Sequence, residues 1–421
     1  MAATVPAPAA PQERRRSLRL SFSNLSFASL DGWLLALGLC AVPVSIAVCE
    51  IFLGGALVTR LANLRGLRRR RSDRMPRVLW FWLAWVALEV AAWLRSPELR
   101  AGLGEMRHLL LIAAVLFTLP AIRSAHRQVM VWRGIVIAAT ASSLFLIGRF
   151  GVRLFLFPSN ADPVVYLRGG GLLNHWMIYS VVEILVFAAM LELWHYYPRD
   201  RRWLGPALAI NGVAIVLSMT RSLWLCCLLL LAAQLAWNRS RWLWAVPAIP
   251  CVLFLAAPSA IRSRVTESLD PSYYSNAERV QMLRVGWKMV REHPWTGVGP
   301  GRVEKLYPSY LAPGEPIPAY HGHLHNNAAE LAAEFGWPVL LAAALFVLVL
   351  FRDLMRGSRR AVSRHHQFLC RTGVLGLTGF AAAGMFDYTY GHSLGLILLV
   401  YAVAPALRGA ADRSQLARAP G

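Results

Sequence analysis

Lysine is almost absent from this chain: Lys288 and Lys305 are the only two among its 44 Lys+Arg residues. Arginine therefore carries nearly all the positive charge, and one arginine at one position says little by itself. Charge of either sign is also scarce, at 16% of residues against about 25% in soluble domains, which excludes an ordinary soluble globular protein. The six cysteines (Cys40, Cys49, Cys226, Cys227, Cys251, Cys370) lie within or at the edges of apolar segments. That placement excludes a disulfide framework and a cysteine metal site, and they read as small core residues. No small-residue cleavage site follows the first apolar run, so an uncleaved membrane start is expected rather than a signal peptide.

What is present is apolar. Of 421 residues 57% are hydrophobic, 16 are Trp, and the net charge is +22. The positive charge falls in short clusters between apolar runs, which is the positive-inside pattern of a multi-pass membrane protein and leaves no place for nucleic acid as a partner. The apolar run at 32–59 fits one tilted helix or two short ones. Further spans are expected at 78–94, 107–121, 129–148, 172–195, 203–219, 223–237, 242–258, 337–351, 368–386 and 393–407. Splitting the first run gives twelve spans and puts the arginine-rich connectors on the cytoplasmic side. The connector at 60–77 holds eight arginines and that at 352–366 holds five. The expected fold is thus an all-α polytopic integral membrane protein of about twelve transmembrane helices with one large, partly helical periplasmic loop. Its parts are a cytoplasmic tail (1–30), membrane spans one to nine (31–258), the periplasmic loop (259–335), spans ten to twelve (336–408) and a second cytoplasmic tail (409–421).

Three stretches face outward in this topology: 149–171, with Arg149, Arg153 and Arg168-Gly169-Gly170-Gly171, the tight turn at 220–222, and the loop at 259–335. The loop at 259–335 holds eight Arg/Lys and eight Asp/Glu, so its cations call for explanation in a way the cytoplasmic arginines do not. Near its end stands Tyr320-His321-Gly322-His323-Leu324-His325-Asn326-Asn327, opening an expected helix at 328–335. A histidine at a helix N-terminus feels the positive end of the dipole, which favours the neutral imidazole. The plain alternative is a hydrated histidine cluster. A zinc site is a third reading, but His-x-His-x-His spacing suits a strand better than a helix start. Arg221 interrupts the apolar hairpin Met219-Thr220-Arg221-Ser222-Leu223; it is either snorkelling to the interface or meeting an anionic head group. In 276–290 the apolar residues Val280, Leu283, Trp287 and Val290 mark one helix face, with Arg279 beside it. Pro294 should end that helix, and Gly297-Val298-Gly299-Pro300-Gly301 permits a tight turn. As a phosphate loop this turn is weak, since no Lys-Ser/Thr follows it.

These motifs resemble the O-antigen ligase/polymerase superfamily of bacterial envelope glycosyltransferases. The residues that carry the resemblance are Arg279, Trp287, His293-Pro294-Trp295-Thr296-Gly297-Val298-Gly299-Pro300-Gly301, His325-Asn326 and Glu330-Leu331-Ala332-Ala333-Glu334-Phe335-Gly336. Thr220-Arg221-Ser222 and Gly171-Leu172-Leu173-Asn174 stand where such proteins carry an arginine and a Gly-x-x-Asn signature. The motifs cover a minor part of the chain; the hydropathy layout covers nearly all of it.

The resemblance implies a GT-C-like membrane enzyme of the bacterial inner membrane with its site facing the periplasm. Its donor would be an undecaprenyl-diphosphate-linked O-antigen and its acceptor the lipid A-core oligosaccharide. His325 takes the role of general base, with Arg221 and Arg279 on the diphosphate. Arg168, Asn174, Arg284, Lys288, His323 and Asn326 are the further substrate-binding candidates. No cofactor and no metal is expected, because the outward loop has no Asp-x-Asp pair to hold an ion. His321 and His323 are extra to the family pattern. Within the superfamily an O-antigen ligase leads, ahead of a polymerase or a protein O-oligosaccharyltransferase, on modest length and the lack of an extra soluble tail. A lipid-linked glycan transporter is the reading from another class, but no internal repeat supports it.

Overall fold

The computed structural model describes residues 29–63, 75–122, 124–157 and 163–407. The two tails at 1–28 and 408–421, and most of the arginine cluster expected at 60–77, lie outside the described residues. Every element among the described residues is helical.

The first apolar run is two helices, Leu30–Ala41 and Ile46–Ala62, packed on each other and joined by a buried Arg60–Asp31 ion pair at 3.0 Å. Val42-Pro43-Val44-Ser45 breaks the run, and Ser45 caps the second helix by accepting from the Val48 amide. Five described helices are long and apolar enough to cross a membrane: Arg77–Leu94, Leu103–Ala121 with its 3-10 end, Ala125–Phe155, Trp176–Tyr196 and Trp337–Arg360. Leu30–Ala41, Arg221–Trp237 and Ser393–Ala402 are shorter apolar helices. At 12 residues the first reaches about 18 Å, well short of a hydrocarbon core of about 30 Å.

Two expected boundaries move for identifiable reasons. The span expected at 242–258 is a 3-10 turn, Arg241–Ala245, followed by the nine-residue helix Ala248–Ala256. Pro247 and Pro250 each lack an amide hydrogen, so a continuous helix does not form there. Trp337–Arg360 runs on through most of the connector expected after 351, and Ala125–Phe155 takes in Arg149 and Arg153.

Trp176–Tyr196 is the central helix. It is apolar on all sides and packs against Arg364–Ala383, Ser393–Ala402, Arg221–Trp237 and Ala125–Phe155, as a helix without a polar face must. Some buried polar groups in this bundle are paired, although Glu183 Oε1 and Thr372 Oγ1 are buried without a hydrogen-bond partner. Arg371 donates to Glu192 at 3.0 Å and to Gln234 and Asn238, and Glu89 meets His108 at 3.1 Å. Above the bundle, Tyr274–Glu292 and Asn327–Phe335 pack together through Met282, Val285, Met289, Leu324 and Ala333. That pair of helices holds the candidate site against the bundle.

The buried face of Tyr274–Glu292 differs from the expected one. Met282, Val285, Met289 and Val290 are buried, whereas Val280, Leu283 and Trp287 are exposed. The helix has two apolar stripes. The one that meets Leu324 is buried because Gly286 leaves space for that side chain; a Cβ at Gly286 would collide with it.

Candidate active site

The turn carrying His325 is held from three sides. The Leu324 amide donates to the Glu330 carboxyl at 2.6 Å, and the Leu324 side chain is buried in the loop core. Asn326 caps the helix Asn327–Phe335, accepting from the Ala328 and Ala329 amides, both at 3.0 Å. Asn326 Nδ2 donates to the Met385 carbonyl at 3.0 Å, and Asn327 bonds Gly384, Thr389 and Tyr390. The His325-Asn326-Asn327 sequence thus ties this loop to the connector between Arg364–Ala383 and Ser393–Ala402. His325 itself has φ 49, a left-handed conformation that a bulky residue adopts only when its surroundings impose it. Asn174 and Met219, the latter two residues before Arg221, share it at φ 60 and φ 53.

His325 Nδ1 lies 3.0 Å from Asp387 Oδ1, and His392 Nε2 lies 3.3 Å from Asp387 Oδ2. Burial works to raise the Asp387 carboxyl, but hydrogen bonds and charge from His325 and His392 outweigh it and hold the group well below the usual carboxylate range. An ionised carboxylate only accepts, so His325 Nδ1 must carry a proton and the lone pair of the neutral ring is on Nε2. His323 is a different case. Its ring centroid is 4.3 Å from that of His325, its Nδ1 accepts from the His325 amide, and burial drives it down to about 3. Sequence reasoning missed Asp387 and His392. The available signal was a carboxylate and an imidazole in one short break, Asp387-Tyr388-Thr389-Tyr390-Gly391-His392, between apolar runs.

Two cavities meet at His325. One, of about 530 Å³, is lined by Arg221, Arg279, Asn276, His325, Asn326 and apolar residues including Trp224, Leu228, Leu283 and Phe386. No carboxylate is among its described lining residues. Arg221 makes only long contacts, to the Glu267 carbonyl at 3.5 Å and Ser275 Oγ at 3.4 Å, and stands over the Tyr273 ring. Arg264 backs this wall, bonding Glu267 at 2.9 Å and the Met219 carbonyl at 3.4 Å. Burial, and then repulsion from Arg264, Arg279 and Arg221, lowers the Arg168 guanidinium to about 9. Arg279 is lowered chiefly by burial. Four arginines from separate elements therefore share one poorly solvated region. An apolar groove lined by Phe187, Ile215, Leu231, Leu253 and Phe254 adjoins this cavity, and the two share Trp224, Leu228, Pro250 and Val265.

The second cavity, of about 620 Å³, is lined by His323, His325, Glu330, Glu105, His175, His392, Tyr320, Tyr388 and Trp176, among others. Arg107 is the one arginine among its described lining residues, and it donates to Ser393 Oγ at 3.0 Å.

The remaining expected site residues lie elsewhere. Arg284 pairs with Glu315 on the exposed side of its helix, Lys288 donates to the Tyr310 carbonyl at 2.8 Å, and Asn174 accepts from Arg149. None of the three lines either cavity. His321 Nδ1 meets the Pro318 carbonyl at 3.1 Å.

The glycine-rich turn is a cap. Val298 and Gly299 donate to the Ala333 and Glu334 carbonyls, Gly301 donates to the Glu334 side chain, and Trp337 donates to the Pro294 carbonyl. Gly297, at φ +64, passes so close to the Glu334 backbone that no Cβ fits. Its amides are spent on a helix end, so they are not available to a phosphate.

His323, His325 and Asp387 are also the group among the described residues that could hold a metal ion, with one donor atom from each within 4.8 Å of the others.

The family model described as O-antigen ligase matches residues 206–344. The match supports the superfamily resemblance over that third of the chain. It takes in Arg221, Arg279 and His325, and it leaves out Arg168, Asp387 and His392. No curated protein matches the chain.

Proposed function

We propose that this chain is a membrane glycosyltransferase that moves O-antigen polysaccharide from undecaprenyl diphosphate to a hydroxyl of the lipid A-core, at the periplasmic face of the inner membrane. The observation that carries the reading is the meeting of Arg221 and Arg279 with His325 in one cavity, where the His325 ring is oriented by the Asp387 carboxylate. The arginines face the donor diphosphate, whose guanidinium-matched oxygens gain charge as the glycosidic bond breaks. The adjoining apolar groove suits a polyprenyl chain leading away from that head group.

His325 Nε2 takes the proton of the acceptor hydroxyl as its oxygen attacks the anomeric carbon. The C–O bond to the diphosphate breaks, and the diphosphate leaves with the electron pair. Asp387 stabilises the imidazolium that forms. One displacement inverts the anomeric centre, and no carboxylate is assigned as a covalent nucleophile, which two displacements would need. The arginines supply the charge that a metal would otherwise provide, so the reaction is metal-independent.

The test is transfer by purified protein from carrier-linked polymer to lipid A-core in excess EDTA, followed by NMR of the new linkage. The expected result is a core-linked polymer with the opposite anomer. Extension of single carrier-linked repeats instead would identify a polymerase, and relocation of lipid without a new bond would identify a transporter. Activity restored only by added metal would overturn metal independence; a retained anomer would overturn the single displacement. The twelve-span orientation is tested separately, with cysteines placed at Ser309 and Ser358 in a background lacking Cys251. Ser309 should label from the periplasm and Ser358 from the cytoplasm, and labelling of both from one side would overturn the twelve-span count or the orientation.

A further inference from the structure

We infer that the second cavity at His325 is the acceptor subsite, and that it takes an uncharged sugar residue while refusing a phosphorylated or carboxylated one. The inference rests on the transferase reading above and adds to it where the acceptor sits and what chemistry it must have.

Three observations carry it. First, His325 lines both cavities, so a hydroxyl entering from the second reaches the same ring that borders the arginine wall. Second, the two walls have opposite character. Glu105 and Glu330 line the second cavity, one from the first turn of Leu103–Thr118 and one from Asn327–Phe335. Glu105 Oε2 accepts from the Tyr388 hydroxyl at 3.1 Å, which leaves it further acceptor capacity for a sugar hydroxyl. An anion brought here would lose its hydration and meet two carboxyl groups against a single guanidinium, Arg107, where the first cavity offers it Arg221 and Arg279 and no carboxylate.

Third, Tyr320 offers an exposed aromatic face for the apolar C–H side of a pyranose. Tyr320 is 56% exposed, and its ring lies 5.1 Å from that of His323 and 5.8 Å from that of His325. A volume of about 620 Å³ is within the range of about 300–1,000 Å³ common for small-ligand sites. Burial pushes Glu330 up to about 8, so at neutral pH it is a carboxylic acid that can donate as well as accept, a further fit to hydroxyls.

The experiment is steady-state transfer to a pair of synthetic glycolipid acceptors that differ only in a phosphate on the terminal hexose. Wild type should use the neutral acceptor and discriminate against its phosphate. Glu105→Gln should raise KM for the neutral acceptor about tenfold, the worth of one hydrogen bond, leave KM for the donor unchanged, and narrow the discrimination. Tyr320→Ala, at an exposed position that should not disturb folding, should raise the acceptor KM without changing the donor KM. Arg279→Lys should do the reverse. Transfer that proceeds with unchanged acceptor KM and unchanged discrimination in both Glu105→Gln and Tyr320→Ala would overturn the subsite. Absence of transfer to either acceptor by wild type would overturn the transferase reading itself, and with it the subsite.

Discussion

On one side of His325 stand Arg221 and Arg279 with no carboxylate among the described lining residues; on the other stand Glu105 and Glu330 with Arg107 as the one arginine among the described lining residues. A single positive basin would bind an anionic lipid and hold it. On the proposed reaction, an arginine wall and a carboxyl-lined wall on either side of one imidazole would sort two substrates by charge and bring them to one proton acceptor. The contrast also explains the partition of histidines. His325 has a carboxylate partner that orients its ring, whereas His323 is kept neutral by burial. Neighbouring rings of the same type are given different work by what surrounds them.

The largest effect expected is at the boundary. His325→Ala should lower kcat by roughly 10²–10⁴, the contribution of general-base catalysis, while donor binding persists because the arginine wall is untouched. Asp387→Asn should lower kcat less, because the ring stays but loses the carboxylate that fixes its tautomer and orientation. His321→Ala should do least, since that ring lies against the Pro318 carbonyl. Activity surviving in His325→Ala but not in His323→Ala would reverse the assignment of the base.

The next effect falls on the cationic side alone. Arg221→Ala and Arg279→Ala should each cost roughly 10²–10³ in kcat/KM, the scale of removing one preorganised donor to developing charge. Lysine at either position should rescue only in part, because it lacks the planar fork. Full activity in both Arg→Lys variants would show that the wall acts as a point charge and not by geometry.

How much of this could be read before the structure depends on how far apart the partners lie in the chain. Pro294 as a helix stop, Asn326 as the start of the next helix and the split of the first apolar run follow from local chemistry, and each appears. Arg221, Arg279 and His325 were marked by motif resemblance and come to one cavity. Asp387 was not, because its tie to His325 spans 62 residues and exists only once two connectors dock. The acidic wall escaped for the same reason. Glu105 begins an apolar helix far from the loop, and Glu330 stands in a motif that assigns it no role. Arg284 and Lys288 line neither cavity, since charge on a helix says nothing of which side faces the site. The buried stripe of Tyr274–Glu292 was misread because that helix has two apolar sides, and only the docking of Leu324 chooses between them.

The smallest effect expected concerns the acidic wall and is a pH dependence of stability. Glu330 is fully buried, and its carboxyl is pushed up to about 8 by burial, against the pull of the Leu324 amide. In the unfolded chain the same group titrates near 4.3. Below that value both states hold the proton and the group contributes no pH dependence. Between about 4.3 and 8 the folded protein keeps a proton that the unfolded chain has lost, so stability falls as pH rises, and the fall levels off above about 8. Glu330→Gln keeps an oxygen to accept from the Leu324 amide and has nothing to titrate. Its thermal unfolding midpoint in detergent should therefore vary less between pH 5 and 8 than that of wild type, with the two curves diverging towards the alkaline end in favour of the variant. Parallel curves across that window would mean that Glu330 ionises at its ordinary pH, and that the acidic wall presents a full negative charge to whatever enters the cavity.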